Sequence, residues 1–161
     1  MRKNYYILLT KRLKTSASAR KSSIMHLSDI NFLAVFVAGI AAFALGFLWY
    51  SFFFGKAWQK ELGFTDEYIQ QGNMPVIFGS SFLMMCIMSF GIALLLANQH
   101  LDAASWQIGM HTGLVIGICF VTTSIAINYL YQRRSIKLWL IDASYQVAFL
   151  TLIGIIHGLW R

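Results

Sequence analysis

The sequence predicts an all-α polytopic membrane protein, a bundle of four transmembrane helices. Three observations predict it. Of the 161 residues, 58% are hydrophobic and only 12% charged, where a soluble domain carries about 25% charge. With so little charge to meet water, lipid must face most of the surface. Four apolar runs are long enough to cross about 30 Å of hydrocarbon, which takes about 20 helical residues each. All five tryptophans, Trp49, Trp58, Trp106, Trp139 and Trp160, fall at or just beyond the ends of those runs, where the half-apolar, half-wet indole settles at headgroup level.

The runs cover about residues 32–50, 76–97, 106–131 and 138–159. The first two hold no charge. The third holds His111 and Asn128, and the fourth holds Asp142 and His157. Each run is continuous rather than alternating, which favours helices over barrel strands. Cys86 and Cys119 lie inside the second and third runs. They form no C-x-x-C pair and read as small apolar fillers, which argues against a disulfide oxidoreductase.

The loop between the first two runs carries local signals. Gly63 closes a short helix containing Trp58 and Leu62, as a left-handed C-cap does. Thr65 ahead of Asp66 and Glu67 has the form of an N-cap with acids in the first turn. Gly72 and Asn73 stop that helix, and Pro75 opens the next run. One or two short amphipathic pieces on the membrane surface are expected here.

The 24 residues at the N-terminus hold Arg2, Lys3, Lys11, Arg12, Lys14, Arg20 and Lys21 and no acid. From Met25 onward basic and acidic residues balance, so the net charge of +7 belongs to this extension. Four readings compete for residues 1–24: a start read too early with Met25 the true one, a basic cytoplasmic arm on anionic lipid, an organellar transit peptide, or a signal peptide whose "YYILL" core is short. A charge run alone is weak support for nucleic-acid binding, and no nucleic-acid partner is expected. The membrane domain is residues 25–161. Lys56 and Lys60 in the first loop, with Arg133, Arg134 and Lys137 in the third, outweigh Arg161 on the other side. The positive-inside rule then places those loops in the cytoplasm and both termini outside. A retained extension reverses that balance.

Burying apolar area gives helices in lipid no reason to associate, whereas close approach at small residues does. The first run carries Ala34, Ala38, Ala42 and Gly46 at i,i+4 spacing, the third carries Gly109, Gly113 and Gly117, and the fourth ends with Gly154 and Gly158. The expectation is that the first and third helices touch along these ladders. Contacts within the chain account for such stripes first, and a homo-oligomer is the alternative.

Asp142 is the sharpest polar feature. A carboxylate at the bilayer centre costs about 2.5–3.5 kcal/mol, and this one lies about four residues, roughly 6 Å, inside its run. Gln146 follows one turn on, and Asn128, Arg134 and Lys56 lie near the same membrane side. These five are the candidate polar pocket. The competing reading is that Asp142 pins the helix hairpin. His111 and His157 lie at similar depth near the opposite side, with His100 and Asp102 in the second loop. No HExxH or H-x-x-x-H spacing accompanies them, so neither metal nor cofactor is expected. Thr122, Thr123 and Ser124 are expected to bond back to helix carbonyls. No Gly-rich phosphate loop, no G-x-S-x-G and no pair of carboxylates spaced for hydrolysis is present, so no catalytic residues are assigned.

The segments "LWYS", "FGKAW", "NYL" and "IKLWLIDASY", in combination, resemble the DUF1761 family of small integral membrane proteins, mostly bacterial and of unknown function. The likeness spans Asp29 to Trp160. It implies a four-helix membrane domain beginning near Asp29 and supplies no catalytic residues. Members often carry Pro after "WYS", where Phe52 stands here, so the first helix is expected to run further. The functional expectation is a non-enzymatic component of the bacterial cytoplasmic membrane whose certain partner is the lipid bilayer. The alternative is a small-solute or proton-coupled permease working through the cluster around Asp142.

Overall fold

The computed structural model describes residues 30–97 and 105–160. The basic extension, and the part of the second loop that holds His100 and Asp102, lie outside the described residues. Four helices are long and apolar enough to span a membrane: α1 (Phe32–Phe53), α4 (Met74–Ala97), α5 (Trp106–Tyr131) and α6 (Ile136–Leu159). Between α1 and α4 lie two short helices, α2 (Gly55–Leu62) and α3 (Asp66–Gln70). The protein is a four-helix polytopic membrane bundle.

Local chemistry sets the boundaries. Asn31 caps α1 by accepting from the Ala34 N–H at 3.1 Å, and Ser135 caps α6 through the Leu138 N–H at 3.1 Å. Thr65 caps α3 at 3.2 Å from the Tyr68 N–H. Asn73, not Pro75 alone, starts α4: its side chain accepts from the Val76 N–H at 3.3 Å. Each cap satisfies an amide that the first helical turn leaves unpaired.

Two C-terminal caps share one geometry and differ in residue. α2 ends with Gly63 at φ 70°, with Phe64 N–H on the Gln59 carbonyl and Gly63 N–H on the Lys60 carbonyl. α5 ends the same way on Arg133 at φ 54°, with Arg134 N–H on the Tyr129 carbonyl and Arg133 N–H on the Leu130 carbonyl. Both are Schellman caps. Glycine adopts the left-handed conformation freely, whereas Arg133 carries a Cβ into it, at a cost of roughly 1–2 kcal/mol. That strained residue closes the tight α5–α6 hairpin.

With Phe rather than Pro at position 52, α1 continues past Tyr50. It does so by widening: Trp49–Phe53 is π-helical, with Phe54 N–H reaching the Trp49 carbonyl at 2.9 Å. A second π-wound stretch, Ile116–Thr122, interrupts α5.

The glycine ladder of α5 does not meet α1, as the sequence suggested. It meets α6. A Cβ on Gly109 would overlap the Gly154 carbonyl, and one on Gly113 would sit 2.8 Å from the Thr151 Cα. One on Gly117 would stand 3.0 Å from the Val147 Cα. Gly154 and Gly158 make the reciprocal approaches, to Gly109 and to the Ser105–Trp106 backbone. Spacing shows which face of α5 is small, and the short hairpin brings α6 to that face first. The α1 ladder packs elsewhere: Ala38 and Ala42 join Ile92, Leu96, Tyr145, Phe149, Leu150 and Ile153 in the core between α1, α4 and α6.

Against α4, α1 offers aromatic rings instead. Phe36 meets Phe82 edge-on at 5.7 Å, and Phe43 meets both Phe78 and Phe82 at about 6 Å. The backbone of α1 comes close to a side chain of α4 at Gly39, where a Cβ would lie 2.8 Å from the Cys86 Sγ. Cys86 thus fills a narrow gap, while Cys119 is exposed.

Candidate functional site

Asp142 sits two turns into α6 and is 8% exposed. Its Oδ1 accepts from the Tyr50 hydroxyl at 2.8 Å, and its Oδ2 accepts from the Tyr129 hydroxyl at 2.6 Å. The carboxylate therefore ties α1, α5 and α6 into one knot. The π-wound turn of α1 makes this possible by directing two consecutive residues to α6. Trp49 donates its indole N–H to the Ile141 carbonyl at 3.1 Å, and Tyr50 takes Asp142. Gly55 is then required by close approach, since a Cβ there would overlap the Tyr50 carbonyl. Around the knot Tyr50 lies 5.1 Å from Tyr145 and 5.4 Å from Trp58, ring centre to ring centre. Tyr145 reaches back to the Ala42 carbonyl at 3.4 Å.

The five residues of the expected polar pocket do not converge. Asp142 is enclosed by tyrosines. Asn128 is exposed and donates to the Ser124 carbonyl of its own helix at 3.0 Å. Arg134 and Lys56 are exposed, as long cations are when their stems run along apolar surface and their heads seek water. Gln146 faces a different space. The two tyrosines that hold Asp142 stand near the ends of apolar runs, where interfacial anchors also stand, so their sequence pattern does not single them out. The signal that could have found them is depth: Tyr129 and Asp142 are each within two turns of the same hairpin.

A second polar lock stands toward the other membrane side. Ser89 donates to the Val35 carbonyl at 3.0 Å and pairs with His157 Nε2 at 2.9 Å, all three buried. Because the single Ser89 hydrogen goes to the carbonyl, His157 must donate from Nε2. It joins α6 to α4, while His111 is exposed on α5. Thr123 bonds back to the Cys119 carbonyl at 2.7 Å. Thr122 instead lends its carbonyl to the Trp139 indole at 3.3 Å, and its hydroxyl is buried without a protein partner among the described residues.

Below the Asp142 knot the bundle opens. No residue of α4 from Pro75 to Met88 is buried, whereas Ser89, Ile92, Ala93 and Leu96 are. The gap between α1, α4 and α6 is a cleft of ≈ 670 Å³, lined by Phe43, Phe47, Met84, Met85, Met88 and Phe149. Gln146 lines it too, with its Oε1 buried and without a protein partner among the described residues. A second hollow of ≈ 970 Å³ lies under α2 and α3, with Lys56, Gln59, Asp66 and Gln71 in its wall. Tyr50, Ser51, Trp58, Ile77 and Phe78 belong to both. The two therefore adjoin along these residues, the first apolar between the helices and the second polar at the loop.

The loop is also strapped to the α5–α6 hairpin. Glu61 accepts from the Ser135 hydroxyl at 2.5 Å and pairs with Lys137 at 3.4 Å. The Ser135 hydrogen bond, then Lys137, hold the Glu61 carboxyl below its ordinary range.

Four apolar spanning helices, a tyrosine-bound intramembrane carboxylate and a lateral cleft define a small polytopic membrane protein. The chain matches the family described as "Protein of unknown function (DUF1761)" over residues 33–158, and it belongs to that family. No curated protein and no solved structure matches it.

Proposed function

We infer that this protein is a non-enzymatic membrane component that holds a lipid-like amphiphile in the cleft between α1, α4 and α6. The cleft carries the inference. Its ≈ 670 Å³ falls within the roughly 300–1,000 Å³ of small-ligand sites. Its walls are mainly apolar, with four Phe and three Met among them, and Met adapts to flexible apolar shapes. A polar hollow adjoins it at the level of the loop, so one molecule with a tail and a head fits the pair better than a solute that is polar throughout. The family likeness supports the bacterial cytoplasmic membrane as its location.

A permease centred on Asp142 would need that carboxylate reachable from water. Both its oxygens accept from tyrosine hydroxyls, which supports a structural role instead. The test is native mass spectrometry of the full chain released from mild detergent. Lipid should remain bound to the wild type. Met84→Trp, which fills the cleft, should strip it while leaving helix content unchanged. Equal lipid retention by both proteins would sink the inference. Proton or solute flux in vesicles that disappears in Asp142→Asn would favour the permease. The same spectra report whether the protein is a homo-oligomer.

A further inference from the structure

The hollow at the cleft mouth has a charge pattern of its own. Lys56, at the start of α2, and Asp66, in the first turn of α3, line the same hollow, and both are exposed. They do not pair with each other: the one ion pair among the described residues is Lys137–Glu61. The neighbouring acids are engaged. Glu61 is held by Ser135 and Lys137. Glu67 is held below its ordinary range by its own backbone N–H and by the Thr65 hydroxyl. Lys60 is exposed on α2 but does not line the hollow. The wall thus offers one cation and one carboxylate, neither in an ion pair among the described residues. Gln59 and Gln71 stand beside them.

We propose that this mouth reads a phosphoethanolamine headgroup, with Lys56 on the phosphate and Asp66 on the ammonium. The proposal rests on the amphiphile reading of the cleft and adds the class of headgroup. An anionic headgroup would meet Asp66 as a like charge. A zwitterion satisfies both residues and leaves the hollow neutral. Between zwitterions, a primary ammonium brings three N–H donors to a carboxylate, and charge-assisted hydrogen bonds are the strong ones. A quaternary ammonium brings none. The tail then enters past Tyr50, Trp58, Ile77 and Phe78, residues common to the hollow and the cleft.

The experiment offers the purified full-length protein three synthetic lipids with identical acyl chains and phosphoethanolamine, phosphocholine or phosphoglycerol heads. Bound lipid is counted by native mass spectrometry. The wild type should retain the ethanolamine lipid about fivefold over the other two, the size expected of one exposed charge-assisted contact. Asp66→Asn should bring the three lipids to parity while the total retained changes little, whereas Lys56→Gln, which removes the contact to the phosphate all three share, should lower retention of all three and leave the ethanolamine preference in place. Met84→Trp should lose all three. Wild-type parity, or a preference for choline or glycerol heads, overturns the headgroup assignment and leaves the cleft standing. So does an ethanolamine preference that survives Asp66→Asn, or a total retention that Lys56→Gln leaves unchanged. No retention of any lipid overturns the cleft itself.

Discussion

The α5–α6 seam and the α1–α4 seam are built from opposite kinds of residue. Along α5–α6, Gly109, Gly113, Gly154 and Gly158 bring backbone onto backbone. Along α1–α4, paired phenylalanines stand about 6 Å apart, and the helices come close at Gly39–Cys86 and at Ser89–Val35. Lipid is as apolar as the helices, so contact rather than burial holds a membrane bundle together. Small residues supply continuous contact and leave no room. Large rings hold the axes apart and leave a cleft. The protein is closed where it is glycine-rich and open where it is aromatic.

The largest expected effect comes from breaking the closed seam. Gly113→Leu puts four carbons where the Leu150 carbonyl and the Thr151 Cα already stand. Backbone cannot swing aside as a side chain can, so the variant should lose about 3 kcal/mol or more, or fail to assemble. Unfolding in a graded detergent–denaturant series measures it. The matched control is Gly91→Ala on α4, where a Cβ meets nothing within 4 Å. It should be neutral or gain up to about 1 kcal/mol, the helix-propensity difference. Equal losses at both positions would erase the contrast between the seams.

Next in size is the Asp142 knot, which closes the upper end of the open half. Asp142→Ala strands the Tyr50 and Tyr129 hydroxyls and should cost about 2–3 kcal/mol. Tyr50→Phe and Tyr129→Phe should each cost about 1 kcal/mol. Neither should add its full cost on top of Asp142→Ala, because the partners share one acceptor group. Additive losses would mean that the tyrosines stabilise the bundle through packing alone.

These residues also show how far the sequence could be read. The four spans were legible because uninterrupted apolar length has few other uses, and Thr65 and Gly63 were legible because caps are local chemistry. The glycine face of α5 was legible as a face. Its partner was not, since a 3.6-residue period carries no information about what lies opposite. Asp142 stood out as a buried charge. Its ligands did not, because Tyr50 and Tyr129 at helix ends have the same pattern as interfacial anchors. Lys56 and Arg134 were grouped with Asp142 by sign and side of the membrane, whereas their heads stay in water. The π-wound turn at Trp49–Phe53 has no period of its own, yet it is what brings Tyr50 to Asp142.

The second lock, toward the closed end, should matter less. Ser89→Ala removes the bond to the Val35 carbonyl and the partner of His157. Interhelical hydrogen bonds in membranes average about 0.6 kcal/mol and reach about 1.7, and this buried pair should fall in that range. A loss as large as that of Gly113→Leu would mean that this polar lock holds α1, α4 and α6 as firmly as glycine contact holds α5 to α6.

The smallest effect concerns the strap between the loop and the α5–α6 hairpin, and it is a pH effect. Glu61 has its pKa lowered from an ordinary 4.5, first by the Ser135 hydrogen bond and then by Lys137. A depressed carboxylate contributes while it is ionised, so the strap is fully held at any pH above that ordinary value. Its contribution fades only as pH falls through the lower folded-state value. Glu61 lies at the surface, where salt screens the Lys137 attraction. Acid should therefore loosen α2 without unfolding the bundle, seen as a fall in amide-exchange protection, relative to the intrinsic rate at each pH, confined to Gly55–Leu62. Glu61→Gln should show the lower protection already at neutral pH and no further acid step. If the step persists in Glu61→Gln, another group governs the strap, and the loop is held to the hairpin by something other than this contact.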